Sequence, residues 1–289
     1  MTGRPSISLC ILCHDRPAEL SDALASAASD GHWAEVLVLD MASEPPIEPV
    51  AGVTWLRSDE NVGVTKGRNL LAEAATGDVL VFVDDDAVFV TPVTSRLQEA
   101  FGGDQALGAV AFRVRRQTGA GPSLEHPFRG TADAADVARD CAYFVGCGYA
   151  VRRDAHLGAG GYDDRFFYST EEVDLSFRLL RDGWSLRYDP TIEVEHRPSA
   201  KGRGRTGSAV PGWRLRNRFL LVRAHLPVAV AVPHAAVWVV RTGVEAVRAR
   251  SVKQWWRLGR EGLSLPVERR PLGWRRLVQI HRLGGRVLY

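Results

Sequence analysis

Four cysteines in 289 residues are too few for a disulfide scaffold. Cys10 and Cys13 spell C-x-x-C, but they fall within Ile7-Ser8-Leu9-Cys10-Ile11-Leu12, an apolar run that reads as a buried strand and not as the helix start a redox pair needs. Packed, reduced thiols are expected, and with them a cytoplasmic protein. No secretory leader is expected, because Met1 to Ser6 is short and polar and the first apolar run has only the length of a strand. No internal repeat or low-complexity tract is visible, and 45% apolar with 25% charged residues excludes a disordered or fibrous chain. An unbroken membrane span is missing too: Phe219 to Val240 is apolar in long stretches, but Arg223, His225 and His234 lie inside it and Pro227 and Pro233 interrupt it. Acidic residues are scarce in one region only. Residues 201–289 hold 3 Asp+Glu against 19 Lys+Arg, whereas residues 1–200 hold 31 against 18. The net charge of +3 therefore hides an acidic part suited to metal chemistry and a basic part suited to an anionic partner.

The length accommodates one large domain with an appendage, since single cores stop growing near ~250 to 300 residues. Ile7 to Cys13, Val36 to Leu39, Val53 to Leu56 and Val79 to Val83 are short, mainly apolar runs, as buried parallel strands are. Segments with helical spacing lie between them, among them Leu20 to Ala28 and Thr65 to Ala75. Strands alternating with helices predict an α/β, doubly wound, mostly parallel sheet. Leu107 to Arg113 reads as a further strand, Gln117 to Asp140 as a mobile loop, and Val173 to Arg181 as a helix with Glu171 and Glu172 at its N-terminus. The division follows the charge: residues 1–200 as the catalytic domain and 201–289 as a basic, Trp/Arg-rich helical extension.

In such sheets ligands gather at the carboxyl ends of the strands, which here carry Asp15, Asp40 and Asp84-Asp85-Asp86. Asp84 and Asp86 should point to one side and Asp85 to the other. Hard cations take one or two carboxylates plus phosphate oxygens of a substrate, so a phosphate-bridging Mg2+ or Mn2+ is the natural guest. A solvated acidic turn is the competing reading. Thr170-Glu171-Glu172-Val173-Asp174 can supply a general base if its pocket raises a carboxylate pKa, although helix N-termini are often acidic for structural reasons alone. His196 ends the alternating run Ile192 to Glu195 and is a candidate third metal ligand.

These residues, in this order and spacing, resemble the family 2 glycosyltransferases, which have the GT-A (Rossmann-like) fold. The similarity covers roughly residues 6–222. Its carriers are His14-Asp15-Arg16, the strand ending at Asp40, Asn61-Val62-Gly63-Val64-Thr65-Lys66-Gly67-Arg68-Asn69, then Gly77-Asp78, Asp84-Asp85-Asp86, and Gly160-Gly161-Tyr162-Asp163 leading into the acidic pair. The resemblance implies donor contacts from His14, Asp15, Arg16, Asp40, Asn61, Arg68, Asp84 and Asp85. It implies metal ligation by Asp86, Asp84 and His196, and an acceptor side including Asp174 and Gly146. The family's base falls on Glu172, where glutamate replaces the usual aspartate, and Glu171 and Asp174 stay open as alternatives. Leu12-Cys13-His14 replaces the usual Pro-Thr-Tyr, which leaves the base of the nucleotide open.

The implied reaction is inverting transfer of a hexosyl or deoxyhexosyl group from a UDP-, dTDP- or GDP-linked sugar to a hydroxyl acceptor: a glycan, a small molecule or a lipid-linked one. A nucleotidyltransferase would carry a lysine-bearing glycine-rich loop after the first strand, which His14-Asp15-Arg16-Pro17 is not. A non-catalytic sugar-nucleotide or membrane-binding module is the other alternative. In the basic part, five tryptophans from Trp213 to Trp274 are interleaved with arginines, a blend typical of helices at an anionic membrane surface. Peripheral attachment at the inner face of the cell membrane is one expectation; simple packing on the catalytic part, with arginines solvated or gripping a phosphorylated acceptor, is the other. Nucleic acid is not an expected partner, because no recognition module accompanies the basic residues.

Overall fold

The computed structural model describes residues 3–117, 123–128, 135–198, 209–285 and 287. Its first half alternates β1 (Ile7–Cys13), α1 (Pro17–Ala28), β2 (Glu35–Met41), β3 (Thr54–Ser58), α2 (Gly63–Ala74) and β4 (Val79–Asp84). Leu9, Ile11, Leu37, Leu39, Val81 and Phe82 are all almost completely buried. Both faces of β1, β2 and β4 are thus covered, which is why their runs are mainly apolar and do not alternate, whereas the edge strand β3 is only partly buried. Strand β1 pairs in parallel with β2 and β4, and β2 with β3. Cys10 and Cys13 are buried free thiols.

The chain continues through β5 (Ala87–Phe89), α3 (Thr94–Gly103), β6 (Leu107–Arg116), β7 (Ser123–Glu125), β8 (Arg139–Asp140), β9 (Gly148–Arg152), α4 (Arg153–Gly158), α5 (Glu171–Arg181) and β10 (Ser185–His196). Of the expected loop 117–140, residues 118–122 and 129–134 lie outside the described residues, and the described ones contribute β7 and β8. The sheet order is β3-β2-β1-β4-β9-β6-β10-β5, with β7 on β6 and β8 on β10. Strand β9 is antiparallel to both β4 and β6, while β10 is parallel to β6. Strands β4, β6 and β10 consequently run in one direction. Asp84 and His196 leave the sheet at the same edge, and the start of β9 is delivered there too, with Gly148 opposite Val83.

Among the described residues four helices follow: α6 (Val210–His225), α7 (Val228–Arg248), α8 (Val252–Ser264) and α9 (Trp274–Arg282). They do not stand apart from the sheet. Leu220, Leu221, Val222, Leu277 and Ile280 belong to the same buried cluster as Phe82, Tyr149 and Leu179. Helices α6 and α8 approach closely because glycine lines their contact: a Cβ on Gly262 would lie 2.5 Å from the Arg216 carbonyl oxygen, and one on Gly259 2.7 Å from Leu215 Cδ2.

Candidate active site

At the end of β1 the chain turns through Asp15, whose φ of 58° is left-handed. The turn is tied to the end of β2: the Asp15 N–H donates to Ser43 Oγ at 2.9 Å, and Asp15 Oδ1 accepts from the Glu44 N–H at 2.9 Å. His14 Nε2 lies 3.5 Å from the Asp15 carboxylate. Asp40 is buried and accepts from the Ser43 and Ile47 N–H groups and from the Arg57 guanidinium. Burial alone would raise its pKa, but the Ser43 bonds, the Ile47 N–H and the Arg57 charge together outweigh burial and hold it below the usual carboxylate range. Asn61 is exposed and closes a local turn, its Oδ1 accepting from the Gly63 N–H at 3.1 Å as α2 begins.

The three consecutive aspartates have different environments. Arg16 Nη1 bridges Asp85 Oδ1 at 2.7 Å and Asp86 Oδ2 at 2.9 Å, so both are ion-paired inward. Burial pushes Asp85 up to about 7 despite Arg16. Asp86 Oδ1 lies 3.3 Å from His196 Nε2; this bond holds Asp86 low against its burial and raises His196. Asp84 lies deep in the crevice yet keeps 39% of its side-chain surface open. Its pKa is raised by the desolvation that the crevice imposes, with Arg68 opposing. Asp84, Cys147 and His196 each offer one ligand atom, all within 4.8 Å of one another, and His196 Nδ1 is buried without a hydrogen-bond partner. That donor set fits a divalent cation. The Asp84 carboxylate suits Mg2+ or Mn2+ and the His196 imidazole favours the softer Mn2+, while burial and the charges of Asp84 and Asp86 keep the Cys147 thiol protonated.

Arg68 connects this cluster to helix α5. It is 3% exposed; Nη2 donates to the Gly146 carbonyl at 2.8 Å and to Asp84 Oδ1 at 3.2 Å, and Nη1 lies 3.6 Å from Glu171 Oε1. Its guanidinium carbon stands 5.7 Å from the ring centroids of both Tyr149 and Tyr162. Glu171 is buried; Glu172 is half-buried and reaches Gly146, where a Cβ would meet its Oε1 at 2.8 Å. Burial raises the pKa of both glutamates, and the charge of Glu172 raises that of Glu171 further. Asp40, Asp84, Asp86, His196, Arg68, Gly146, Glu171 and Glu172 thus all lie at the carboxyl edge of the sheet or on the loop and helix that face it.

The acidic pair is held by a turn whose support comes from far away in sequence. Ser169 (φ 71°) and Thr170 (φ 79°) are both left-handed, a conformation that costs on the order of 1–3 kcal/mol per residue with a side chain. Asn217 of α6, fully buried, donates to the carbonyls of Tyr168 at 2.7 Å and Ser169 at 2.6 Å. Asp174 faces the same helix. Its Oδ1 pairs with His225 Nε2 at 2.7 Å and its Oδ2 accepts from Arg178 Nε at 2.9 Å. Both oxygens serve the fold. Burial would raise the Asp174 pKa, but His225 and Arg178 take it down to about 2. A depressed carboxylate stabilises the folded state above its unfolded pKa of about 4, and that contribution is lost as pH falls towards 2. Asp174→Asn is therefore expected to cost about 3 kcal/mol at pH 7, with a Tm gap to the parent that closes in thermal melts between about pH 4 and pH 2.

The sequence profile described as Glycosyl transferase family 2 matches residues 8–157, just over half of the chain. This chain belongs to glycosyl transferase family 2. Transfer of a glycosyl group from a nucleotide-sugar donor is thereby its activity at the level of the family. This glycosyltransferase is similar to an uncharacterized protein of Haemophilus influenzae, 28% identical over 169 residues that make up 53% of the chain and 91% of that protein. It also resembles a pre-mycofactocin glycosyltransferase of Mycobacterium tuberculosis, 28% identical over 177 residues, 56% of the chain but only 37% of that relative. Among solved structures, that of GalNAc-T7 with UDP, GalNAc and Mn2+ superposes with a TM-score of 0.65 at 15% identity, over 89% of this chain and 57% of the other. At that identity the likeness is one of fold.

Proposed function

We propose that this glycosyltransferase moves a sugar from a nucleoside diphosphate donor to an acceptor hydroxyl in one displacement that inverts the anomeric centre. The observation that carries the reading is the Arg68 node, which joins Asp84 of β4, Gly146 before β9 and Glu171 of α5. Asp84 and His196, with Asp86 beside them, are the residues that would hold Mg2+ or Mn2+. Such an ion offsets the charge growing on the leaving diphosphate.

The remaining work falls to the chain itself. Glu172 is the base: its raised pKa makes it a better proton acceptor than an ordinary surface carboxylate, and it is the more accessible member of the acidic pair. Glu171, turned to Arg68, positions that cation and through it Asp84. Arg16 keeps Asp85 and Asp86 oriented at the strand end.

UDP-, GDP- and dTDP-linked sugars, each with and without Mn2+, test the reading by thermal stabilisation. One donor should raise Tm only with the metal, by the equivalent of about 2.7 kcal/mol at a hundredfold excess over Kd. Asp84→Asn and His196→Ala should both lose the metal-dependent part of the shift. Failure of every donor, together with no metal-dependent release of nucleoside diphosphate, removes the assignment.

A further inference from the structure

Helix α7 turns an apolar face outward. Its buried positions, one per turn, are Val230, His234, Trp238, Thr242 and Ala246. His234 Nδ1 lies 3.3 Å from the Val287 carbonyl, Thr242 Oγ1 accepts from the Trp255 indole N–H at 2.9 Å, and the Arg218 guanidinium stands 4.2 Å from the Trp238 ring centroid. The opposite face is aliphatic: Val228, Val232, Val237, Val240, Val244 and Val247 are between 41% and 68% exposed. A helix on a soluble surface has the reverse arrangement. Although α7 is long and apolar enough to cross a bilayer, only 28% of its most apolar window is buried in the molecule. A contiguous apolar stripe of this kind marks a surface that something apolar covers.

The charge around the stripe says what that cover is. At its C-terminal end Arg250, in the left-handed region at φ 52°, turns the chain into α8. Arg250, Lys253 and Arg257, with Ser251 and Gln254, line an open pocket of about 370 Å³ there. Trp256, 61% exposed, sits 6.2 Å from Trp255 between ring centroids, and Trp255 lies against Gly243 of α7, so an exposed indole adjoins the stripe. Glu245, the one acidic residue from 228 to 260, is neutralised by Arg214 at 3.0 Å. We propose that the valine face of α7 and the basic corner between α7 and α8 seat the enzyme on an anionic lipid bilayer, with α7 lying in the plane of the interface. The valines would meet the upper acyl chains, Trp256 the headgroup boundary, and Arg250, Lys253 and Arg257 the lipid phosphates.

Two other occupants fit less well. A span would tear His234, Trp238 and Thr242 from their partners in the protein. A second copy would bring one strongly basic surface against another, and like charge opposes that contact. The inference rests on α7, α8 and their contacts with α6, and stands whether or not the reaction proposed above is correct.

Flotation of the full chain with phosphatidylcholine vesicles, with and without phosphatidylglycerol, is the test. The protein should float with the anionic vesicles at low salt, stay behind with phosphatidylcholine alone, and be released by high salt. Combined Arg250→Gln, Lys253→Gln and Arg257→Gln should lower partitioning about 100-fold, at roughly fivefold per cation. Combined Val232→Asn, Val240→Asn and Val247→Asn should also release the protein while its Tm is kept, since these side chains face outward. Brominated acyl chains should quench parent fluorescence more than that of Trp256→Phe. Absence of binding to anionic vesicles, binding indifferent to the valine substitutions, or a solution dimer that those substitutions dissociate would each overturn the proposal.

Discussion

Glu172→Gln is expected to abolish glycosyl transfer while leaving donor binding intact. The amide has the shape of the carboxylate but cannot take a proton, and a general base contributes on the order of 10²–10⁴ in rate. Glu172 is suited to that task by its setting: half-buried at the start of α5, with a pKa raised mainly by desolvation. A raised pKa also predicts that the acid limb of the transfer rate lies above the ordinary carboxylate range, because the base works only when deprotonated. Glutamate is one methylene longer than the aspartate it replaces, and Gly146 supplies the room, since a Cβ at that position would come within 2.8 Å of Glu172 Oε1. Gly146→Ala should therefore cost about 100-fold in transfer by displacing the carboxylate, without altering any charge. Donor-dependent Tm shifts and nucleoside diphosphate release with acceptor separate binding from chemistry. Glu172→Gln at full rate beside an inactive Glu171→Gln would move the base to Glu171.

Much of the sheet and its acidic edge is legible in the sequence, because parallel strands buried on both faces leave uniformly apolar runs and each of those runs points at its terminal residues. Asp15, Asp40 and Asp84 to Asp86 could be assigned to one crevice on that ground alone, whereas His196, at the end of an alternating run, could be offered only as a candidate ligand. The strand that completes the crevice could not. Gly148 to Arg152 is apolar like its neighbours, and nothing local tells that it runs antiparallel and brings Gly146 and Cys147 beside Asp84. Nor does Thr170-Glu171-Glu172-Val173-Asp174 reveal which carboxylate serves the fold: Asp174 is claimed by His225, 51 residues later. Asn217 stabilises the left-handed turn before Glu171 from a similar distance and has no local signature. The Trp/Arg composition of the basic segment is visible, but the exposed apolar face of α7 depends on which residues α6 and α8 cover.

Arg68→Met is the substitution expected to damage the protein most. Methionine keeps the apolar packing against Tyr149 and Tyr162 but removes the one cation that ties Asp84 to Glu171. Breaking a buried ion pair from one side costs about 3–5 kcal/mol, or on the order of 10 °C in Tm for a chain of this size, and Asp84 loses its orientation with it. The loss should depend on pH in a direction that the burial of Glu171 dictates. Its pKa, already well above the usual range because of burial and Glu172, rises further once Arg68 is gone. A carboxylate whose folded pKa exceeds its unfolded value destabilises the fold at high pH, and the penalty is relieved as pH falls through the folded pKa. The Tm gap between Arg68→Met and the parent should therefore be widest in alkaline buffer and narrow on acidification. Adding Glu171→Gln to Arg68→Met should recover part of the lost stability, since the amide needs no counter-charge, whereas Glu171→Gln alone should cost little. Strict additivity of the two changes would mean that Arg68 and Glu171 share no interaction, and the link from α5 to the metal-side carboxylates would then have to run through other residues.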